Sequence, residues 1–264
     1  MSVKTVLFVI DPQRDFCLPT GSLYVNGAED DMRRLSAFVS KNRKKLFDIH
    51  VTLDSHHRFQ IFHPLFWRDV TGNHPPAFTR ITQDDIEKGI WAPAVPAMRD
   101  RVLSYVKGLA VSNRYQLVIW PVHCLIGSEG TQVTPELFKE LCAWEDETIG
   151  MVNYVTKGSN LYTEHYSAVK AEVPDPADSS TQLNQQLVDL LTEADIILVA
   201  GEALDYCVYN SIKDVASAFG VDNTRKIKIL EDCTSAIDPN AITKIKQEFA
   251  AMGIEFVDTT YFDK

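Results

Sequence analysis

The sequence predicts an α/β protein with a three-layer α/β/α fold, in which helices cover both faces of a central, mostly parallel sheet of about six strands. Short apolar runs alternate with amphipathic segments along the chain, and this alternation is typical of βαβ units. The 264 residues are 45% hydrophobic and 23% charged, which is the composition of an ordinary soluble globular protein. That length suits a single domain over residues 1–264, built on one sheet with an insertion.

The spacing of the apolar residues predicts the individual elements. Strands are expected near residues 4–10, 48–54, 116–120, 151–156, 195–200, 226–231 and 254–257. Helices are expected near residues 28–46, 134–143, 181–193, 206–219 and 239–252. For the last helix, Asp238 is the expected N-cap, Pro239 the first helical residue and Gly253 the residue just after the end.

Residues 66–112 interrupt this alternation and are predicted to form an insertion. The segment is rich in proline, and one helix is expected near 96–107. It carries aromatic residues that we expect to be exposed: Phe66, Trp67, Phe78 and Trp91. Long irregular segments in compact domains are usually lids, binding loops or interface elements. We expect a lid or an interface element here, the alternative being a surface elaboration that shields one edge of the sheet.

Charge and cysteine content restrict the partners and the compartment. The formal net charge of −10, without any Lys/Arg run, argues against nucleic acid and favours a small neutral or cationic substrate. No apolar run is long enough to predict a membrane span, and the N-terminus enters a strand at once, which predicts no signal peptide. Five cysteines at irregular spacing argue against a disulfide framework, so we expect a cytoplasmic protein.

Cys207 lies just after the apolar run 195–200, at the start of a predicted helix. A thiol in the first turn of a helix faces unpaired N–H groups and the positive end of the helix dipole, which favours the thiolate. Asp205 is expected to cap this helix. The sequence therefore suggests a nucleophile at Cys207, the alternative being a buried and inert cysteine.

Two further strands end in residues that suit such a nucleophile. Asp11 follows the strand near 4–10, and Lys157 ends the strand near 151–156. Because ligands bind outside the carboxyl ends of strands in open parallel sheets, we expect Asp11, Lys157 and Cys207 to face one crevice. They would act there as base, cation and nucleophile.

A group of histidines around the end of the second strand suggests a metal site. Asp54 and His56 are two residues apart in extended chain, so their side chains would lie on the same side. His63 and His123 would complete a set of three imidazoles and one carboxylate, which suits zinc, with manganese or iron(II) also compatible. The alternative is a hydrogen-bonded histidine cluster without metal.

Taken together, the motifs resemble those of the nicotinamidase branch of the isochorismatase-like cysteine hydrolases. The resemblance extends from residue 5 to about residue 257 and does not include residues 66–112. It rests on the stretches Ile10–Phe16, Gly21–Ala28, Thr52–His56, Trp120–Cys124, Thr156–Gly158 and Gly201–Cys207.

The resemblance implies a role for each of these site residues. Metal ligands would be Asp54, His56 and His123, with His63 as the fourth and His57 as its alternative. Phe16 and Trp120 would hold an aromatic ring. The backbone N–H groups of Ala203 and Cys207 would form the oxyanion hole, next to a cis peptide bond between Glu202 and Ala203.

The resemblance also implies the reaction, which is metal-dependent hydrolysis of nicotinamide to nicotinate and ammonia through a thioester on Cys207. Two alternatives remain open at this point. One is a related amidase or carbamoyl hydrolase that acts on another small amide, and the other is a catalytically silent binding subunit. Homo-oligomerisation is also left open.

Overall fold

The computed structural model describes residues 3–112 and 114–263. The strands in this part of the chain are β1 (Thr5–Ile10), β2 (Asp48–Asp54), β3 (Trp67–Arg68), β4 (Arg80–Ile81), β5 (Ala92–Pro93), β6 (Leu117–Val118), β7 (Asn153–Lys157), β8 (Ile196–Gly201), β9 (Ile227–Leu230) and β10 (Glu255–Val257). The helices are α1 (Arg14–Cys17), α2 (Ala28–Asn42), α3 (Gln83–Glu87), α4 (Arg99–Ser112), α5 (Pro135–Thr148), α6 (Gln185–Thr192), α7 (Tyr209–Phe219) and α8 (Ala241–Ala251). None of these helices is long and apolar enough to cross a membrane.

Six strands form one parallel sheet in the order β10-β9-β8-β1-β2-β7. The central strand β1 pairs through Val9 with Ala200 of β8 on one side and with Val51 of β2 on the other. Because all six strands run in the same direction, their carboxyl ends share one edge of the sheet. The predicted fold class is confirmed.

Side chains of the central strands alternate between two cores, one on each face of the sheet. In β1, Phe8 and Ile10 belong to one core, which also includes buried residues of α4, α6, α7 and α8. Leu7 and Val9 belong to the other core, together with buried residues of α2 and α5. The sheet is therefore the middle layer of a three-layer α/β/α fold.

The strand expected at 116–120 lies outside the main sheet. Only Leu117–Val118 is extended and paired, and it pairs antiparallel with Arg80–Ile81. The following residues are also bonded to the chain around residues 62–79, since Trp120 N–H donates to the Phe62 carbonyl at 2.8 Å. An apolar run alone cannot show which partner a strand will take.

The insertion is more deeply packed than its sequence suggested. Phe66 and Trp67 are fully buried, so the expectation that they are exposed was wrong. Phe78 is 58% exposed, as expected, and Trp91 is partly buried. The helix expected near 96–107 is α4, which buries one side against the sheet.

The start of the last helix differs from the prediction. Helix α8 begins at Ala241 after the cap residue Asn240, not at Pro239. The Asp238 carboxylate accepts a hydrogen bond from the Asn240 N–H at 3.0 Å, so it closes a turn before the helix. The expected Gly253 lies just beyond the helix end, with a φ of 76°.

Candidate active site

Four neighbouring strands bring the candidate residues to one edge of the sheet. Strand β1 ends just before Asp11, β2 ends at Asp54, β7 ends at Lys157, and β8 leads into the turn that carries Cys207. The predicted convergence of strand ends is therefore present, and Asp54 joins it. Cys207 lies in a π-helical turn, Leu204–Val208, that continues into α7.

The Lys157 ammonium is the centre of this group. Its Nζ lies 2.9 Å from Asp11 Oδ2, 2.5 Å from Asp54 Oδ1 and 3.7 Å from Cys207 Sγ, and it donates to the His165 carbonyl at 2.9 Å. Its side chain is 1% exposed. Although burial opposes the charge, the two carboxylates outweigh it and raise the pKa of Lys157 well above its ordinary value. The lysine is therefore a fixed cation between two acids and the thiol.

Asp11 is held by the neighbouring strand. The Thr52 hydroxyl donates to Asp11 Oδ1 at 2.6 Å and accepts a hydrogen bond from the Asp11 N–H at 3.0 Å. Burial raises the pKa of Asp11 even though Lys157 opposes the shift. The carboxylate oxygens of Asp11 and Asp54 and the Cys207 Sγ lie within 4.8 Å of one another. Asp11 is thus placed to exchange a proton with the thiol.

The state of the Cys207 thiol differs from the sequence expectation. The thiol was expected to favour the thiolate, but burial raises its pKa well above the ordinary value, and Lys157 opposes this only in part. Asp205 also does not cap the helix, because Ala203 precedes the π-helical turn. The Asp205 carboxylate instead accepts hydrogen bonds from the N–H groups of Ile237 and Asp238, both at 2.9 Å.

Asp54, His56 and His123 form a compact set of candidate metal ligands. Their ligand atoms lie within 4.8 Å of one another, and all three side chains are buried. His56 Nδ1 lies 2.9 Å from the Gly158 carbonyl, which fixes the proton on Nδ1. His56 Nε2 is buried without a hydrogen-bond partner in the described residues and lies 3.4 Å from Asp54 Oδ2. A buried imidazole nitrogen that has no hydrogen-bond partner and lies beside a carboxylate is suited to bind a divalent cation.

His63 lies next to this set, with its Nε2 3.5 Å from His123 Nδ1. Its Nδ1 lies 3.0 Å from the His57 carbonyl, so the other ring nitrogen, Nε2, is the one that faces His123. Burial, and then neighbouring histidines, lower the pKa of His63 and of His123 to about 3, so both rings are neutral as ligation requires. The alternative fourth ligand, His57, has an exposed side chain.

A cavity lies against these groups. It has about 380 Å³ of empty space, including part of its mouth, and most of its lining is apolar. The predicted ring-binding residues Phe16 and Trp120 both line it, as do Ala203 and Cys207. Trp120 Nε1 donates to the Tyr166 hydroxyl at 3.0 Å, and Phe16 packs edge-on against His123. The Glu202–Ala203 peptide bond is cis, as the resemblance implies.

Three further lining residues were not predicted as site residues. Glu164, Tyr166 and Tyr206 face the same cavity. Glu164 is 5% exposed, and burial raises its pKa to about 7. Residues 158–166 have no regular secondary structure except bends, so neither helical nor strand periodicity indicates where Glu164 lies.

Comparison with known proteins shows what the chain is similar to. No protein-family model matches it. The nicotinamidase of Saccharomyces cerevisiae is 26% identical over 255 residues, which is 96% of this chain and 98% of that protein. The yeast nicotinamidase structure with the inhibitor nicotinaldehyde superposes with a TM-score of 0.68 at 22% identity, covering 96% of this chain and 99% of that one.

Two more distant structures share the fold. The L. infantum enzyme in complex with nicotinate has a TM-score of 0.62 at 22% identity, covering 98% of this chain and 95% of that one. The pyrazinamidase of Pyrococcus horikoshii in complex with zinc has a TM-score of 0.58 at 18% identity, covering 97% and 99%. The chain is therefore similar in sequence, over 96% of its length, to a nicotinamidase, an amidohydrolase, and it shares the fold of solved nicotinamidases and pyrazinamidases.

Proposed function

We propose that the protein hydrolyses nicotinamide to nicotinate and ammonia through a thioester on Cys207. The observation that carries this proposal is the contact of Lys157 with Asp11, Asp54 and Cys207 beside an aromatic cavity. Relatives of the same fold have been solved with nicotinaldehyde and with nicotinate, which supports a pyridine ring as the ligand.

In the first half of the reaction, Asp11 takes the Cys207 proton while the sulfur attacks the carboxamide carbon. The Lys157 ammonium stabilises the negative charge that moves between sulfur and carboxylate. The N–H groups of Ala203 and Cys207 receive the oxyanion. Asp11 then gives its proton to the amide nitrogen, the carbon–nitrogen bond breaks, and ammonia leaves a thioester.

In the second half, a water molecule attacks the thioester carbon and Asp11 takes one of its protons. The carbon–sulfur bond breaks when the tetrahedral intermediate collapses. The proton on Asp11 then returns to Cys207, and the acid product leaves as nicotinate after it has lost its remaining proton to solvent. One water is consumed in total, and the protein returns to its starting protonation state.

The cavity lining suits a small neutral aromatic amide. Phe16 and Trp120 provide flat apolar surfaces for a ring, and Tyr206 packs at right angles to Trp120 with ring centroids 5.2 Å apart. A ring held between them would present its carboxamide to Cys207. A pocket with few polar groups around a reactive centre is typical of small-molecule sites.

We propose that one divalent ion binds at Asp54, His56 and His123, with His63 as the nearest further imidazole. Zinc is favoured over manganese and iron(II). The mixed nitrogen and oxygen donor set and the neutral rings of His63 and His123 support this proposal, and a pyrazinamidase solved with zinc shares the fold. Although burial opposes the shift, Asp54 raises the pKa of His56, so the ion competes with a proton for that ring. When bound, the ion would supply a Lewis acid that accepts the pyridine nitrogen and orients the ring.

We propose that the insertion 66–112 forms an outer wall or lid of the cavity. Phe78, which is exposed, packs edge-on against Trp120 with ring centroids 5.9 Å apart. Limited proteolysis with and without nicotinate tests this proposal. Protection that increases with nicotinate supports a lid, whereas rapid cleavage within 66–112 without loss of activity contradicts it.

We also propose a cytoplasmic enzyme that supplies nicotinate to pyridine nucleotide metabolism. All five cysteines are free, and four of them are buried. A reducing compartment preserves the thiol that the chemistry needs.

The decisive experiment measures ammonia release from a panel of small amides, including nicotinamide, pyrazinamide and a ureido compound, with and without a chelator. We expect nicotinamide to be hydrolysed, Cys207→Ala to be inactive but folded, and chelation to lower activity. Activity on the ureido compound alone would instead indicate a carbamoyl hydrolase. No activity on any amide would favour a silent binding subunit.

A further inference from the structure

A buried acid lies directly before the predicted oxyanion turn. Glu202 directly follows β8, precedes Ala203 and is 0% exposed. Its Oε2 accepts a hydrogen bond from the Ser235 N–H at 3.1 Å. Its Oε1 is buried and has no hydrogen-bond partner in the part of the chain that the structure describes. A half-satisfied buried carboxyl group is costly unless it is neutral or has a function.

Ser235 links Glu202 to a second buried acid. The Ser235 hydroxyl donates to Asp31 Oδ2 on α2 at 2.5 Å, and Asp31 Oδ1 is paired with Arg34 at 2.6 Å. Burial, and then the charge of Asp31, raise the pKa of Glu202 well above its ordinary range. The raised pKa favours the neutral form of Glu202, and its Oε2 accepts from the Ser235 N–H.

Ser235 belongs to loop 235–238, and this loop has three further hydrogen bonds to residues 204 and 205 of the turn that carries Cys207. The Leu204 N–H donates to the Ser235 carbonyl at 2.8 Å. The Asp205 carboxylate accepts from the N–H groups of Ile237 and Asp238. Two acids of the turn, Glu202 and Asp205, thus bind backbone N–H groups of loop 235–238. Ile237 of this loop lines the cavity together with Ala203 and Cys207.

We propose that Glu202 is a positioning residue: its carboxyl group, bridged through Ser235 to Asp31, fixes loop 235–238 against the turn that carries Ala203 and Cys207. The proposal rests on the proposed function, since it concerns the N–H donors of that reaction. Small displacements of such donors have large effects, because they act only when aligned with the developing oxyanion.

The test compares Glu202→Gln with Glu202→Met. Gln keeps an oxygen that accepts from the Ser235 N–H, whereas Met has a similar size and lacks that oxygen. We expect Gln to keep kcat for nicotinamide within about threefold, and Met to lose about 10- to 100-fold in kcat with KM changed less than about threefold. The same pair of substitutions at the exposed Glu193 is the control and should change neither constant.

Two measurements separate positioning from general damage. Alkylation of Cys207 by iodoacetamide develops no oxyanion, so its rate should stay near that of the wild type in both variants. Hydrogen exchange at Ser235 and Ile237 should become faster in Glu202→Met only. If that variant does not fold, Ser235→Ala replaces it in the test. This substitution removes the hydroxyl that donates to Asp31 and keeps the N–H that donates to Glu202, and it should lower kcat at least about threefold with KM unchanged.

The proposal is overturned if Glu202→Met has the kcat of the wild type, or if Glu202→Gln is as impaired as Glu202→Met. The proposal is also overturned if hydrogen exchange in loop 235–238 of Glu202→Met is as slow as in the wild type or slower. A wild type that does not hydrolyse nicotinamide would refute the proposed function instead. The exchange comparison would still decide whether Glu202 fixes the loop.

Discussion

In the proposed reaction, Cys207 needs a local proton acceptor because of the charges around it. If both carboxylates are ionised, Asp11, Asp54 and Lys157 already carry one net negative charge in a buried site. Release of the thiol proton to solvent would add a second buried negative charge, which is unfavourable. Transfer of that proton to Asp11 leaves the total charge unchanged. The raised pKa of Cys207 is therefore compatible with a nucleophile that is deprotonated only as it attacks.

A first prediction concerns thiol reactivity. In a Cys142→Ser background, which removes the only cysteine that is not buried among the described residues, iodoacetamide should modify Cys207 first. Adding Asp11→Asn should slow this labelling at least about tenfold, because an amide cannot accept the thiol proton. Mass spectrometry after brief treatment measures both effects. Earlier labelling of Cys17, Cys124 or Cys233 would remove the reason to call Cys207 the nucleophile.

A second prediction concerns the metal. Elemental analysis of the purified protein should find close to one divalent ion per chain, and His56→Ala should lose it. The control is His57→Ala, which removes an exposed imidazole of the same type and should keep the ion. Affinity should weaken as pH falls through about 6.5, because ligation requires neutral imidazoles. A fully active protein without metal, or equal metal loss in both variants, contradicts the assignment.

At the scale of elements, the end of β8 determines where Cys207 lies. Gly201 has a φ of 111°, and a Cβ there would lie 1.9 Å from the Ile10 carbonyl oxygen of β1. The strand end and the Asp11 turn are therefore in backbone contact, which only glycine permits. This contact fixes the start of the Cys207 turn relative to Asp11.

A third prediction follows from that contact. Gly201→Ala should lower the free energy of unfolding by about 3 kcal/mol or more and reduce kcat, because backbone atoms must move apart. Gly72→Ala is the matched control, since Gly72 also has positive φ (90°) but a Cβ would meet no atom within 4 Å. It should cost about 1–2 kcal/mol and leave kcat unchanged. Chemical denaturation of both variants decides, and equal destabilisation would contradict the contact argument.

The sequence predicts best the elements that are determined by short stretches of the chain. The strand patterns of β1, β7 and β8 and the residues that follow or end them are local, so the convergence of Asp11, Lys157 and Cys207 could be predicted. The start of α8 and the bonds of Asp205 depend on contacts between distant segments, and these predictions were wrong. Residue roles at the site remain predictions.

Prediction of the site from the sequence has the same limit. Asp54 was predicted as a metal ligand, and its contact with Lys157 at 2.5 Å connects the proposed metal site to the proposed nucleophile, which no sequence pattern indicates. Although burial opposes it, Lys157 and then His56 keep the pKa of Asp54 well below its ordinary value. Glu164 reaches the cavity through an irregular segment. Such contacts come from the packing of loops over strand ends.

At the scale of the whole molecule, the protein keeps several acids in its interior. Glu172 is one that the site does not use: its two carboxyl oxygens are buried without hydrogen-bond partners among the described residues, and Arg114 Nη1 is 3.9 Å away. Burial, which outweighs the attraction of Arg114, raises the pKa of Glu172 from 4.5 to about 7. The ionised form therefore destabilises the folded state.

The last prediction follows from the sign of this shift. Between about pH 4.5 and 7 the folded state holds the Glu172 proton while the unfolded chain has lost it, so Glu172 makes stability fall as pH rises through this window, by roughly 3 kcal/mol in total. Glu172→Gln removes this term and should be more stable than the wild type at pH 8, but not at pH 4.5. Buried neutral histidines such as His165 contribute the opposite slope, and they cancel when the two proteins are compared. Urea unfolding at both pH values, with exposed Glu193→Gln as control, measures the difference. An advantage of Glu172→Gln that is the same at pH 4.5 and 8 would show that the Glu172 carboxyl titrates alike in the folded and unfolded states.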